Sequence, residues 1–113
     1  MELAAGQLAD ASLESAVIAV RRAIEWTIDA SNPVDAMAGA TPLLRALATT
    51  VGGWMMARQA AAAVGDDAYS EAKRVTAKFY AEQILPTVFG LCEQATAGSA
   101  TLMTLRAEQF ASQ

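Results

Sequence analysis

The chain contains no histidine and a single cysteine, Cys92. The first absence removes Ser-His-Asp and Cys-His nucleophile activation, histidine-ligated zinc and the Glu-x-x-His pairs of carboxylate-bridged di-iron bundles. The second removes thiolate zinc fingers, Cys-x-x-Cys redox chemistry and any disulfide within one chain. Cys92 has Val88, Phe89 and Leu91 for neighbours, which predicts a buried thiol in a reducing compartment, most simply the cytosol. Clustered cations are also missing. Eight Lys and Arg stand against twelve Asp and Glu, for a net charge of −4, and the densest basic group, Lys73, Arg74 and Lys78, is flanked by Glu71 and Glu82. It reads as a solvated helix face, and no nucleic-acid partner is expected.

Long apolar runs are absent too. The uncharged stretch 46–57 falls short of the ~18 to 20 residues of a membrane span. The start, Met1-Glu2-Leu3, lacks the basic and apolar regions of a secretory signal, so neither a membrane partner nor an export address is expected. Gly52-Gly53 stands outside any Gly-x-Gly-x-x-Gly or Walker pattern, and Asp66-Asp67 lacks the further spaced oxygen ligands of a calcium loop. No catalytic, cofactor-binding or metal-ligating residue is therefore assigned in this chain.

What the chain has in abundance is alanine. The 113 residues include 27 alanines, against 34 larger apolar residues or cysteine. Alanine is the best helix former and a poor strand former, and the few β-branched residues do not alternate, so the composition predicts an all-α fold. The length suits one domain spanning 1–113.

In the first helix, starting by Asp10 or Ser12, Leu13, Val17, Val20, Ile24 and Ile28 form one apolar stripe and are expected to face the core. The preceding residues, Met1 to Ala9, either extend this helix or fray. Ser31-Asn32-Pro33 is a break, with Asn32 as cap and Pro33 in the next first turn. The second helix is expected to reach Val64, bent or broken near Ala40 to Thr41 by Gly39 and Pro42, with Leu44, Leu47, Val51 and Met55 as its core stripe. Gly52 and Gly53 imply either a close approach by another group or a local bend.

Gly65 is expected as a left-handed helix end, with Asp66 or Asp67 capping the third helix. That helix, in which Val75, Phe79, Ile84, Leu85, Val88, Leu91 and Cys92 fit helical more than strand periodicity, should bend at Pro86 and close at Gly98. Leu102, Met103, Leu105 and Phe110 are expected to pack back on the bundle. The expected architecture is an elongated up-down-up bundle of three long helices, the second and third kinked at proline, with a packed C-terminal tail. Most aromatics, Trp26, Tyr69, Phe79 and Tyr80 among them, read as core or rim packing. The helix after Leu43 is apolar on more than one face and should be central, and Trp54 on it is a candidate contact anchor. The interface candidates are Gly52, Gly53, Trp54, Met55, Phe79 and Tyr80.

Three runs carry a family resemblance. They are Gly52-Gly53-Trp54-Met55-Met56-Ala57-Arg58-Gln59-Ala60, Ala77-Lys78-Phe79-Tyr80-Ala81-Glu82-Gln83-Ile84-Leu85-Pro86 and Ala97-Gly98-Ser99-Ala100-Thr101-Leu102-Met103. In this order and spacing they resemble the C-terminal helical domain of a subgroup of bacterial acyl-CoA dehydrogenases, over most of residues 10 to 110. The resemblance implies an auxiliary domain that follows a flavin-binding core, in an enzyme that oxidises an acyl-CoA to the 2,3-enoyl-CoA with FAD as hydride acceptor. The family's glutamate base and its flavin and CoA contacts lie in that core, so neither Glu71 nor Glu82 takes over the role. The implied partners are the core of the same polypeptide and a second subunit of a homo-oligomer, and whether Met1 is the native start stays open. The alternative from the residues themselves is a freestanding bundle binding an acyl or other apolar ligand near Met55, Met56, Phe79 and Ile84.

Overall fold

The computed structural model describes residues 5–111, with side chains described from Asp10 onward. All regular structure among these residues is helical: α1 Ala5–Asp29, α2 Pro33–Ala38, α3 Ala40–Ala62, α4 Ala68–Phe79, a π-helical turn Tyr80–Ile84, α5 Thr87–Ala95 and α6 Ala107–Ala111. The first helix thus begins earlier than its apolar pattern suggests, and Met1 to Ala4 lie outside the described residues.

The breaks fall where backbone chemistry demands them. The Asn32 side chain accepts a hydrogen bond from the Val34 amide at 3.0 Å, with Pro33 as the first residue of α2. The second long segment breaks at Gly39, and Pro42 then lies in the first turn of α3, where a missing N–H costs little. Gly39 is also where the helix meets its neighbour most closely. A Cβ there would collide with the Ala95 carbonyl group, whose carbon is 2.7 Å from the ideal Cβ position.

At the other end of α3 the expected left-handed Gly65 is absent: Gly98, at φ 81°, has the one positive φ among the described residues. A cation closes α3 instead. Arg74 donates from Nη1 to the carbonyls of Ala63 and Gly65, at 2.5 and 2.9 Å, satisfying acceptors that the helix end leaves over. Asp67 takes the cap position of α4 (φ −71°, ψ 163°) without a side-chain cap hydrogen bond, and the Ser70 hydroxyl beside it holds its carboxyl below the usual range.

Three segments pack around one core, with α3 touching α1, α4 and α5 as its central position required. The α3 segment runs antiparallel to α4 and α5. Lys73 reaches Gln59, Tyr80 reaches the Thr49 carbonyl, Gly53 lies against Leu85 and Gly39 against Ala95.

The side chains inside are small. Fully or nearly buried are Ala16, Val20 and Ala23 on α1, Ala46, Thr50 and Gly53 on α3, and Ala77, Ala81, Leu85, Val88, Cys92 and Ala95 beyond. On α1 and α3 these recur every four and three residues, as a buried helix stripe must. The larger stripes are only partly inside: Val20 is buried and Leu13 and Ile24 pack against the core, but Leu44, Leu47, Val51 and Met55 are 42–66% exposed, and Val17, Ile28 and Phe79 are exposed as well. The helices meet largely on alanine and glycine, and Val20, Leu85 and Val88 are the larger side chains that fit between them.

The interruption expected at Pro86 takes the form of the π turn. Proline has no N–H to continue the α-helical ladder, and one step earlier the Leu85 amide bonds the Tyr80 carbonyl at 2.9 Å, five residues back. The extra residue resets the helix phase. The inward positions Ala77, Ala81 and Leu85 are four apart twice in succession, which in an unbroken α-helix, at roughly 100° per residue, would swing the stripe about 80° off the core.

Beyond α5 the expected packing of the tail is not observed. Leu102, Met103, Leu105 and Phe110 are 53–69% exposed, and α6 has no substantial contact with another helix. Just before this tail, Ser99 is buried and donates to Asp35 Oδ1 from its amide at 2.8 Å and from its hydroxyl at 2.6 Å, tying the end of α5 to α2.

Candidate docking surface

The large apolar side chains left at the surface do not scatter evenly. Val17 and Ile24 from α1 and Leu47, Val51 and Trp54 from α3 form the walls of an open groove of about 620 Å³, with buried Val20 and the base of Thr50 at its floor. The Thr50 hydroxyl donates to the Ala46 carbonyl at 2.8 Å, so the floor of the groove presents no unsatisfied polar group. Charge is confined to the rim, where Arg21 and Glu25 pair at 3.5 Å across one helical turn. Trp54 is half exposed at the end of the groove, and the Arg58 guanidinium stacks over its ring with 4.9 Å to the centroid. Such a surface can bury apolar groups.

The six interface candidates divide. Gly52, Gly53 and Tyr80 belong to the internal seam between α3 and the π turn. A Cβ on Gly52 would strike the Tyr80 hydroxyl, and one on Gly53 would lie 2.9 Å from Leu85 Cδ2, so the pair of glycines marks a close approach and not a bend for its own sake. The Tyr80 hydroxyl donates to the Thr49 carbonyl at 2.6 Å, and partial burial raises its pKa above the ordinary tyrosine value. Trp54 stands on the groove. Met55 and Phe79 are more than half exposed but do not line it.

The other sequence candidates find structural uses. The basic group is not a free face: Arg74 caps α3, Lys73 bonds Gln59 and lies over the Tyr69 ring, and Lys78 pairs with Glu82 at 3.9 Å. Cys92 is buried as its neighbours foretold, and burial raises the pKa of its thiol. It borders a second hollow of about 450 Å³ with Trp26, Phe89 and Thr96. Tyr69 and Phe79, expected in core or rim packing, are 70% and 56% exposed. Among the described residues no group of three or more Cys, Asp or Glu side chains is placed to hold a metal ion, and no helix is long and apolar enough to cross a membrane.

Val17, Leu47 and Val51 were assigned to the core by their periodicity, so the groove itself was missed. The available signal was a second, equally periodic stripe of small residues next to them. Fold and surface together define an all-helical module built on an alanine seam with an outward apolar groove. The chain belongs to the acetyl-CoA dehydrogenase C-terminal-like family, whose model matches residues 4–106, and is a C-terminal domain of the acyl-CoA dehydrogenase type. No curated protein and no solved structure matches it.

Proposed function

We propose that this chain is the auxiliary domain of an FAD-dependent acyl-CoA dehydrogenase of the cytosol, an up-down-up bundle that follows the flavin-binding core in one polypeptide and serves assembly, with catalysis left to the core. The family membership supports the parentage. The observation that carries the assembly role is the inversion of the apolar pattern, with alanine inside and Val17, Ile24, Leu47, Val51 and Trp54 around an open groove. Each large apolar side chain left in water forgoes roughly 1.5–3 kcal/mol of burial, which a docked surface would recover. In this reading the groove is covered in the oligomeric enzyme.

The test is the mass of the native polypeptide, detected in its own cells with an antibody raised against this chain. A band several hundred residues larger is expected. A band at 11.8 kDa would overturn the reading and favour the freestanding bundle that binds an acyl ligand. In that case acyl-CoAs should raise the melting temperature of the purified chain.

A further inference from the structure

The molecule presents two apolar surfaces that do not meet. One is the α1–α3 groove; the other is the arm 100–111, on which Leu102, Met103, Leu105 and Phe110 are exposed and α6 has no substantial contact with another helix. The root of the arm is fixed. Gly98 turns the chain through a left-handed conformation, and the two hydrogen bonds from buried Ser99 to Asp35 hold the exit point against α2. Held there, the arm contributes no residue to the lining of its own groove and can enter that of another molecule.

We infer that the arm of one chain docks in the α1–α3 groove of a second copy, and that the second arm returns the contact. The inference deepens the assembly role proposed above and rests on it, naming the occupant of the groove as the same domain of a second subunit. Size decides for a reciprocal contact. Four large apolar side chains bury on the order of 300–400 Å², and the walls they cover at most about as much again. One such contact, about 700 Å² or less, is no larger than a packing contact, whereas two related by a two-fold axis approach the ~1,200 Å² at which stable complexes begin. The exchange also closes on itself, so it forms dimers and not filaments. The groove volume of 620 Å³ lies within the ~300–1,000 Å³ that encloses a ligand of comparable bulk. Charge fits as well: the arm carries Arg106 and Glu108, paired at 3.2 Å, and the rim carries Arg21 and Glu25, so the two pairs can exchange partners on docking.

The test compares the 113-residue chain with the double variant Leu105→Asp, Phe110→Asp and with the groove variant Val51→Asp, by light scattering and sedimentation over a range of concentrations. All three substituted side chains are about half or more exposed, so helicity by circular dichroism should be unchanged. The parent chain is expected to be a dimer, and each variant is expected to weaken it about 100-fold or more. Trp54 emission, read in a Trp26→Phe background, should shift to the red as the dimer dissociates. A dimer that survives both variants would overturn the inference, since another surface would then hold it. A monomeric parent chain would also overturn it, and a Trp54 shift that does not depend on concentration would show the arm in its own groove. These outcomes are independent of the native band mass, so a failure here is distinguishable from a failure of the proposed parentage.

Discussion

Gly39 separates α2 from α3 and lies directly against the backbone of Ala95, a position where even a methyl group has nowhere to go. Backbone, unlike a flexible side-chain end, does not yield cheaply. Gly39→Ala is therefore expected to cost at least about 2 kcal/mol, lowering the melting temperature by roughly 8 °C or more at this chain length, as read by circular dichroism or calorimetry. A melting temperature within two degrees of the parent would mean that the helices do not approach so closely. Cys92 offers a chemical check of the same core. Burial keeps its thiol protonated above the ordinary range, so at pH 8 it should react with a thiol reagent many times more slowly in the folded chain than in denaturant. Equal rates would place it at the surface.

Between the helices, long-range polar contacts do the fastening that large side chains would do elsewhere. Arg74 on α4 closes the end of α3 through two carbonyls nine and eleven residues earlier in sequence. Hydrogen bonds from a charged donor contribute about 1.5–3 kcal/mol when partly buried, so Arg74→Met is expected to lower stability by about 1–2 kcal/mol. Lys78→Met, at an exposed i,i+4 pair, should change it by less than about 0.5 kcal/mol. Equal effects would remove the cap from the account. The Asp35–Ser99 contact adds a pH dependence. The hydroxyl and then the amide of Ser99 lower the Asp35 pKa in the folded state, so its stabilisation is present above the unfolded value and is lost as pH falls through the folded one. Asp67, lowered by the Ser70 hydroxyl, acts in the same direction. Melting temperatures should therefore fall below about pH 4. Asp35→Ala should be less stable at pH 7 and show a shallower acid limb, and an unchanged limb would show that Asp35 is not linked to folding.

At the scale of the whole molecule, the narrow seam makes size the sensitive variable. Ala46 and Ala81 are nearly fully buried where the segments meet, and neither Ala46→Leu nor Ala81→Leu adds hydrophobicity that the fold can use. Each is expected to destabilise by about 1–3 kcal/mol or more, although leucine is an equally good helix former on an exposed site. A broadened unfolding transition would accompany the loss. If either variant were more stable than the parent, the seam would have to be wider than described.

Much was legible in the chain because it depends on local chemistry. The alanine content sets the helical class, Asn32-Pro33 starts a helix, Gly39 and Pro86 mark interruptions and Gly98 turns the chain after α5, each from backbone constraints that act within a few residues. The family was legible too, through three spaced runs, whereas the glycine pair left a close approach and a local bend equally open until the contacts with Tyr80 and Leu85 decided for the first. What needed the tertiary structure was the choice between two stripes. On α1, Val17 and Ile24 lie beside Ala16 and Ala23, and on α3, Leu47 and Val51 lie beside Ala46 and Thr50; both stripes have helical period. Periodicity counts residues per turn and carries no information about the distance between helix axes. That distance follows from the contacts of Gly39, Gly52 and Gly53 with distant segments, and once it is small the stripe of mostly small residues turns inside on α1 and α3. The groove, the outward Trp54 and the exposed arm are consequences of that spacing, which exists only when the segments are brought together.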